Sequence, residues 1–84
     1  MTRIAKLYQQ FLSRQELSFA EFQRLLEAFG YRLDRVRGSH HTYRHPLIGQ
    51  RMQIQPKGKN AKDYQIAQLR NIAEKYGLKL GEDD

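Results

Sequence analysis

The chain has 84 residues, of which 39% are hydrophobic and none is cysteine, and it carries a formal net charge of +6. That length holds one small domain that buries about 60–65% of its unfolded surface, so a dinucleotide-binding fold or a barrel is excluded. Without cysteine there is no disulfide framework, zinc knuckle or thiol nucleophile, and no apolar run approaches the roughly 18 residues of a membrane span.

The N-terminal MTRIAKLYQQ lacks the apolar stretch of a secretory signal, which makes a cytoplasmic single domain over 1–84 the expectation, with no membrane partner. Residues 3–14 place Ile4, Leu7, Tyr8, Phe11 and Leu12 at helical spacing, an amphipathic helix. Ser18 with Glu21 three residues on reads as a capping box, and Leu17 with Phe22 as its hydrophobic staple. The second helix carries Phe22, Leu25, Leu26 and Phe29 on one face and stops at Gly30.

From Tyr31 the period becomes two. YRLDRV reads as a strand, RGS as a turn, HTYRH as a second strand, PLIGQ as a loop and RMQIQ as a third strand ended by Pro56. After the loop KGKN, Asn60 with Asp63 signals a helix start over residues 61–76, closed by Gly77 with Leu78 folding back. GEDD is an acidic tail. The order α–α–β–β–β–α gives an α+β domain with helices on one face of a three-stranded antiparallel sheet. Its last five elements resemble the α–β–β–β–α plan of double-stranded-RNA-binding domains, here with an extra N-terminal helix.

The charge is unevenly distributed. Residues 1–30 carry four basic and three acidic groups, residues 31–62 eight basic groups and only Asp34, and residues 63–84 three basic and five acidic groups. The middle segment is therefore +7 and holds all three histidines. A localised basic field favours a polyanionic partner, although a solvated basic surface also keeps a small protein soluble.

The densest chemistry lies in Arg37-Gly38-Ser39-His40-His41-Thr42-Tyr43-Arg44-His45-Pro46. Strand alternation sets His41, Tyr43 and His45 on one face and His40, Thr42 and Arg44 on the other. Histidine can take a proton from a ribose 2′-hydroxyl and return one to a leaving oxygen, and Arg or Lys beside it can hold the phosphate. A single strand histidine is usually structural; three within six residues of the most basic segment weigh towards chemistry. His41 and His45 would stand about 13 Å apart along a strand, too far to share an ion, so neither metal nor cofactor is expected. Tyr43 either stacks an unpaired base or packs in the core.

GSHHTYRHP, preceded by the helix FAEFQRLLEAFGY and followed by RMQIQP and a final helix ending KYGL, resembles the HicA toxin family of bacterial toxin–antitoxin systems over residues 18–78. The resemblance implies the double-stranded-RNA-binding-like fold, a metal-independent and ribosome-independent mRNA endoribonuclease, and neutralisation by a HicB-like antitoxin. The family's catalytic histidine closes the turn motif and maps onto His41, with His40 second. Residues 1–17 extend beyond the family's core. Their apolar face either enlarges the core or serves a second copy, as a homodimer, or an antitoxin.

Lys57, Lys59 and Lys62 surround the start of the last helix, whose free amides favour anions. KNAK resembles the lysine-rich start of the last helix in double-stranded-RNA-binding domains, where such lysines grip phosphates. Arg37, Ser39 and Arg44 join these lysines as expected RNA contacts. Alternation is expected to divide Arg32, Arg35, Arg37, Arg44 and Arg51 between the two faces of the sheet. The functional expectation is an RNA-cleaving enzyme with His41 as acid or base and His45, Tyr43 or a lysine as its second group. A non-catalytic double-stranded-RNA-binding module and an adaptor for an acidic protein are the alternatives.

Overall fold

The computed structural model describes residues 3–81, so residues 82–84 of the expected acidic tail lie outside the described residues. The first helix, α1, spans Ile4–Leu12 and buries Ile4, Leu7 and Phe11. Arg3 supplies no side-chain cap, so packing holds the helix rather than end chemistry. Beyond its C-terminus Arg14 sits at φ 61° while the Gln15 N–H reaches back to the Gln10 carbonyl at 2.9 Å. A left-handed residue ends this helix without the glycine that usually does so.

Helix α2 (Phe19–Ala28) begins at the capping box that the sequence encodes. The Glu21 N–H donates to Ser18 Oγ at 3.0 Å, and the Ser18 N–H donates to Glu21 Oε1 at 2.9 Å. Gly30, at φ +101°, turns the chain into the sheet. Strands β1 (Arg32–Arg37), β2 (His40–His45) and β3 (Ile48–Ile54) form an antiparallel sheet in that order. The third strand thus begins inside PLIGQ, which alternation alone reads as a loop. Pairing shifts by two residues between Tyr43↔Met52 and His45↔Ile48, and this irregularity hides Gly49 and Gln50 from a period-two reading.

The segment after β3 also departs from expectation. Pro56–Lys57 (β4) and Asn60–Ala61 (β5) make a small hairpin with Gly58 at φ +64° in its turn. Proline tolerates this position because β4 is the outer strand of the pair, with β5 alone beside it. Asn60 does not cap a helix; its Nδ2 donates to Glu16 Oε1 at 3.0 Å. Helix α3 therefore starts at Asp63, two residues later than expected, and runs to Tyr76. Gly77 at φ 63° ends it, with the Leu78 N–H donating to the Ala73 carbonyl at 2.9 Å. That closure is the one the sequence predicts.

The arrangement is helix–strand–strand–strand–helix with a three-stranded antiparallel sheet and an added N-terminal helix, an α+β fold. One core contains Leu7 and Phe11 of α1, Leu25 and Leu26 of α2, Tyr43 and Ile54 of the sheet, and Leu69 of α3. Leu17 and Phe22, the expected staple pair, are both fully buried in it. Of the apolar face of α1, Ile4, Leu7 and Phe11 are inside this core, while Leu12 at its C-terminal end is 48% exposed. Arg70 fastens α1 to α3: its Nε and Nη2 donate to the Phe11 carbonyl at 3.2 and 2.8 Å, and its guanidinium lies over the Phe11 ring. Among the described residues, no helix is long and apolar enough to cross a membrane.

Candidate active site and basic surfaces

Residues directly opposite in an antiparallel pair share a face. Val36↔His41↔Ile54 and Leu33↔Tyr43↔Met52 therefore form rows on the face towards the helices. Arg35↔Thr42↔Gln53, Arg37↔His40 and Arg32↔Arg44 form rows on the outer face. The three histidines have three different environments as a result.

His41 stands at the start of β2, half-buried, on the helix-facing side. Its Nδ1 lies 3.1 Å from the Ser39 carbonyl oxygen, which can only accept, so Nδ1 carries the proton and donates. The lone pair is thereby assigned to Nε2. Phe19, the first residue of α2, meets the imidazole edge-on, with ring centroids 5.0 Å apart and planes inclined at 69°. The Phe19 N–H donates to the Lys59 carbonyl at 2.9 Å, and the Ala61 N–H to the Leu17 carbonyl at 3.0 Å. Through Phe19, one residue links the histidine to the lysine-bearing hairpin. The positive end of the α2 macrodipole opens at the same place.

His40 is exposed and paired with Arg37 on the outer face, so the two neighbouring histidines point to opposite sides of the sheet. They cannot act on one phosphate together. His45 is 8% exposed and structural. Its Nε2–H donates to the Phe29 carbonyl at 3.0 Å, its Nδ1 accepts the Leu47 N–H at 3.1 Å, and Tyr31 packs edge-on against its ring. Both nitrogens are occupied. Tyr43 is 1% exposed, and its hydroxyl accepts from Gln23 Nε2 at 3.1 Å. Burial raises its pKa above 10.0, with Glu27 adding to the shift and the Gln23 bond opposing it. Of the two roles for Tyr43, the core is the one it fills.

The expected RNA contacts fall into two groups. Lys57 and Lys59 are exposed on the hairpin and Lys62 is the N-cap residue of α3, its ammonium 6.0 Å from the Tyr64 ring centroid. Glu16 and Asp63 line the same cleft as Lys57 and Lys62, so that surface is basic but not purely so. Ser39 is exposed in the turn and offers its carbonyl to His41. Arg37 and Arg44 belong to the outer face instead.

The division of the arginines between faces does not occur. The β1–β2 register shifts between Leu33 and Arg35, so Asp34 is an extra residue and Arg32, Arg35 and Arg37 all face outward. Arg44 joins them as the partner of Arg32, and Arg51 lines one cleft with Arg35 and Arg37 and another with Arg32 and Arg44. Asp34 ion-pairs into this surface, 3.5 Å from Arg35 Nε and 3.8 Å from Arg44 Nη1. A one-residue bulge is invisible to a strict alternation rule, which is why the five-arginine face was not legible. Phe19 was equally hidden as a site residue, although its place one turn before Phe22 puts it on the sheet-facing stripe of α2.

A family model described as HicA toxin of bacterial toxin-antitoxin matches residues 19–78, from the first residue of α2 to just past the end of α3. No curated protein and no solved structure matches the chain.

Proposed function

The chain belongs to the HicA toxin family and is thus the toxin of a toxin–antitoxin pair, and from that premise we propose that it is a metal-independent endoribonuclease that cleaves mRNA through His41. The observation that carries this reading is the His41 bond to the Ser39 carbonyl, which leaves Nε2 as the basic nitrogen of a half-buried imidazole that Phe19 joins to the hairpin bearing the exposed Lys57 and Lys59. In the proposed step, Nε2 takes the proton of a ribose 2′-hydroxyl. The 2′-oxygen then attacks the adjacent phosphorus, the bond to the 5′-oxygen breaks, and that oxygen leaves with a proton. The products are a 2′,3′-cyclic phosphate and a free 5′-hydroxyl.

Of the three candidates for the second acid–base group, His45 and Tyr43 have their polar atoms engaged inside the core. A lysine of the 57–62 segment is the candidate that remains. Lys57, Lys59 and Lys62 also serve to hold the phosphate and balance charge in the displacement. His40, Arg37 and Arg44, on the far face, contact RNA only where the strand extends beyond the cleavage point. A HicB-like antitoxin is the proposed partner that keeps the toxin silent.

The test is incubation of the purified chain with single-stranded RNA in EDTA, beside His41→Ala. Cleavage with cyclic phosphate ends, lost by at least about a hundredfold in the variant with RNA affinity retained, is the expected result. Robust cleavage by His41→Ala removes the proposal. RNA binding by both proteins without cleavage by either supports the second reading, a non-catalytic RNA-binding module, which the exposed Lys57 and Lys59 ahead of α3 favour by themselves.

A further inference from the structure

Among the described residues, the sheet order β1-β2-β3 leaves one edge of β1 without a backbone partner, and all six residues Arg32–Arg37 are exposed. An open edge presents a row of unpaired N–H and C=O groups, and soluble proteins generally cover or shorten such strands. Here the strand is six residues long, without proline, and uncovered by the helices. We propose that this edge of β1 is a docking edge for an extended acidic segment of another protein, which joins the sheet as a fourth strand.

The two faces of β1 define the chemistry of that segment. On the helix-facing side Leu33 and Val36 are 48% and 52% exposed, and Leu33 shares a cleft with Leu47, which is 84% exposed. On the outer side stand Arg32, Arg35 and Arg37, backed by Arg44 and Arg51 of the neighbouring strands. An added strand alternates its side chains between the same two faces. The matching sequence therefore alternates apolar residues, which cover Leu33 and Val36, with Asp or Glu, which meet the arginines.

Two rival occupants fit less well. A second copy pairing β1 against β1 would bring three arginines from each chain onto one face, and like charges across a ladder are destabilising. A nucleic acid would satisfy the arginines and leave the edge amides, Leu33 and Val36 as they are. An acidic strand accounts for all three features together.

Docking has a consequence for the cleavage site, and only this consequence rests on the nuclease reading. Val36 lies directly opposite His41 in the ladder. A strand added outside β1 runs about 4.8 Å beyond Val36 and about 10 Å from β2, so its helix-facing side chains close the flank of His41 against RNA.

The experiment uses the whole chain and a capped peptide of about eight residues alternating Glu with Val. A control peptide carries Lys in place of each Glu. Amide hydrogen exchange should slow at Arg32–Arg37 with the Glu peptide and not with the Lys peptide. Arg35→Glu and, separately, Leu33→Lys should each weaken peptide affinity at least about tenfold while circular dichroism keeps the native signature. Equal protection by both peptides, or none at β1, overturns the docking. Concentration-dependent protection of β1 without peptide assigns the edge to a second copy, and protection by single-stranded RNA in place of peptide assigns it to nucleic acid; either overturns it too. Cleavage assays form a separate arm: peptide binding with undiminished cleavage overturns the shielding alone, and binding by a chain that cleaves nothing leaves the docking standing and removes the nuclease reading.

Discussion

Phe19 holds His41 and Lys59 with different atoms: its ring braces the imidazole edge-on at 5.0 Å, and its N–H donates to the Lys59 carbonyl at 2.9 Å. The first residue of α2 thus fixes the proposed base and the proposed phosphate-binding hairpin in one frame. Such an edge contact is worth about 0.5–1.5 kcal/mol, small for folding but enough to define a ring orientation.

Phe19→Leu should therefore leave the thermal midpoint within a few degrees of wild type while lowering kcat for RNA cleavage about tenfold, with KM little changed. The backbone bond to Lys59 survives that substitution. Imidazole NMR signals of His41 should move with loss of the Phe19 ring current whatever the role of Phe19, so the fall in kcat at little-changed KM is the deciding readout. Unchanged kcat with a shifted midpoint would make Phe19 a core residue and no more.

The expectations that held were those fixed by local chemistry. Ser18 with Glu21 encodes a capping box whose two bonds depend on four consecutive residues, and Gly77 encodes its closure through its own positive φ. Histidine alternation on β2 also held, because that strand is regular from His41 to His45. What failed depended on pairing with a distant strand. Asp34 is a bulge only because β2 is its partner, and Ile48 is in a strand only because His45 lies opposite it. Asn60 looks like a helix cap until Glu16, 44 residues earlier, takes its side-chain amide. Long-range register, not propensity, decided which face carries the arginines.

Helix α1 supplies Leu7 and Phe11, 0% and 1% exposed, to the shared core. Leu7→Ala should cost about 2–5 kcal/mol and Phe11→Ala about 3–5 kcal/mol, a large share of the stability of so small a domain. Arg70→Ala, which removes two charge-assisted bonds to the Phe11 carbonyl, should cost about 1.5–3 kcal/mol. Chemical denaturation of the three variants checks the order. Near-native stability in Phe11→Ala would mean that α1 is an appendage to the fold.

A Cβ on Gly30 would stand 2.9 Å from His45 Nε2, and the residue sits at φ +101°. Gly30→Ala must displace the imidazole from the Phe29 carbonyl as well as strain the backbone, so a loss of about 2–4 kcal/mol is expected. Gly58→Ala, at φ +64° with no atom within 4 Å of the added Cβ, should lose only about 1 kcal/mol. The opposite change, Arg14→Gly at φ 61°, relieves a left-handed residue and should gain about 0.5–1 kcal/mol. Thermal midpoints of the three variants give the ranking. Equal effects at Gly30 and Gly58 would show that His45 yields freely and is not fixed by its two bonds.

Tyr43 and Tyr31 set the alkaline limit of the fold. Burial raises the pKa of both phenols above 10.0, with Glu27 contributing at Tyr43 and Tyr76 at Tyr31. A folded-state pKa above the unfolded one means that the native protein holds its phenolic protons more tightly than the unfolded chain does. The associated stability is fully present below about pH 10 and is lost as pH rises through the folded-state values. The thermal midpoint should stay level up to that point and then fall, with the part of the tyrosinate absorbance that belongs to Tyr31 and Tyr43 appearing together with unfolding rather than before it. Tyr43→Phe removes the hydroxyl that accepts from Gln23, so it should lower stability at neutral pH by about 1 kcal/mol. The same substitution should flatten the alkaline fall, because one of the two tightly held protons is gone. A wild-type chain that ionises all its tyrosines near pH 10 while still folded would contradict the burial of both rings.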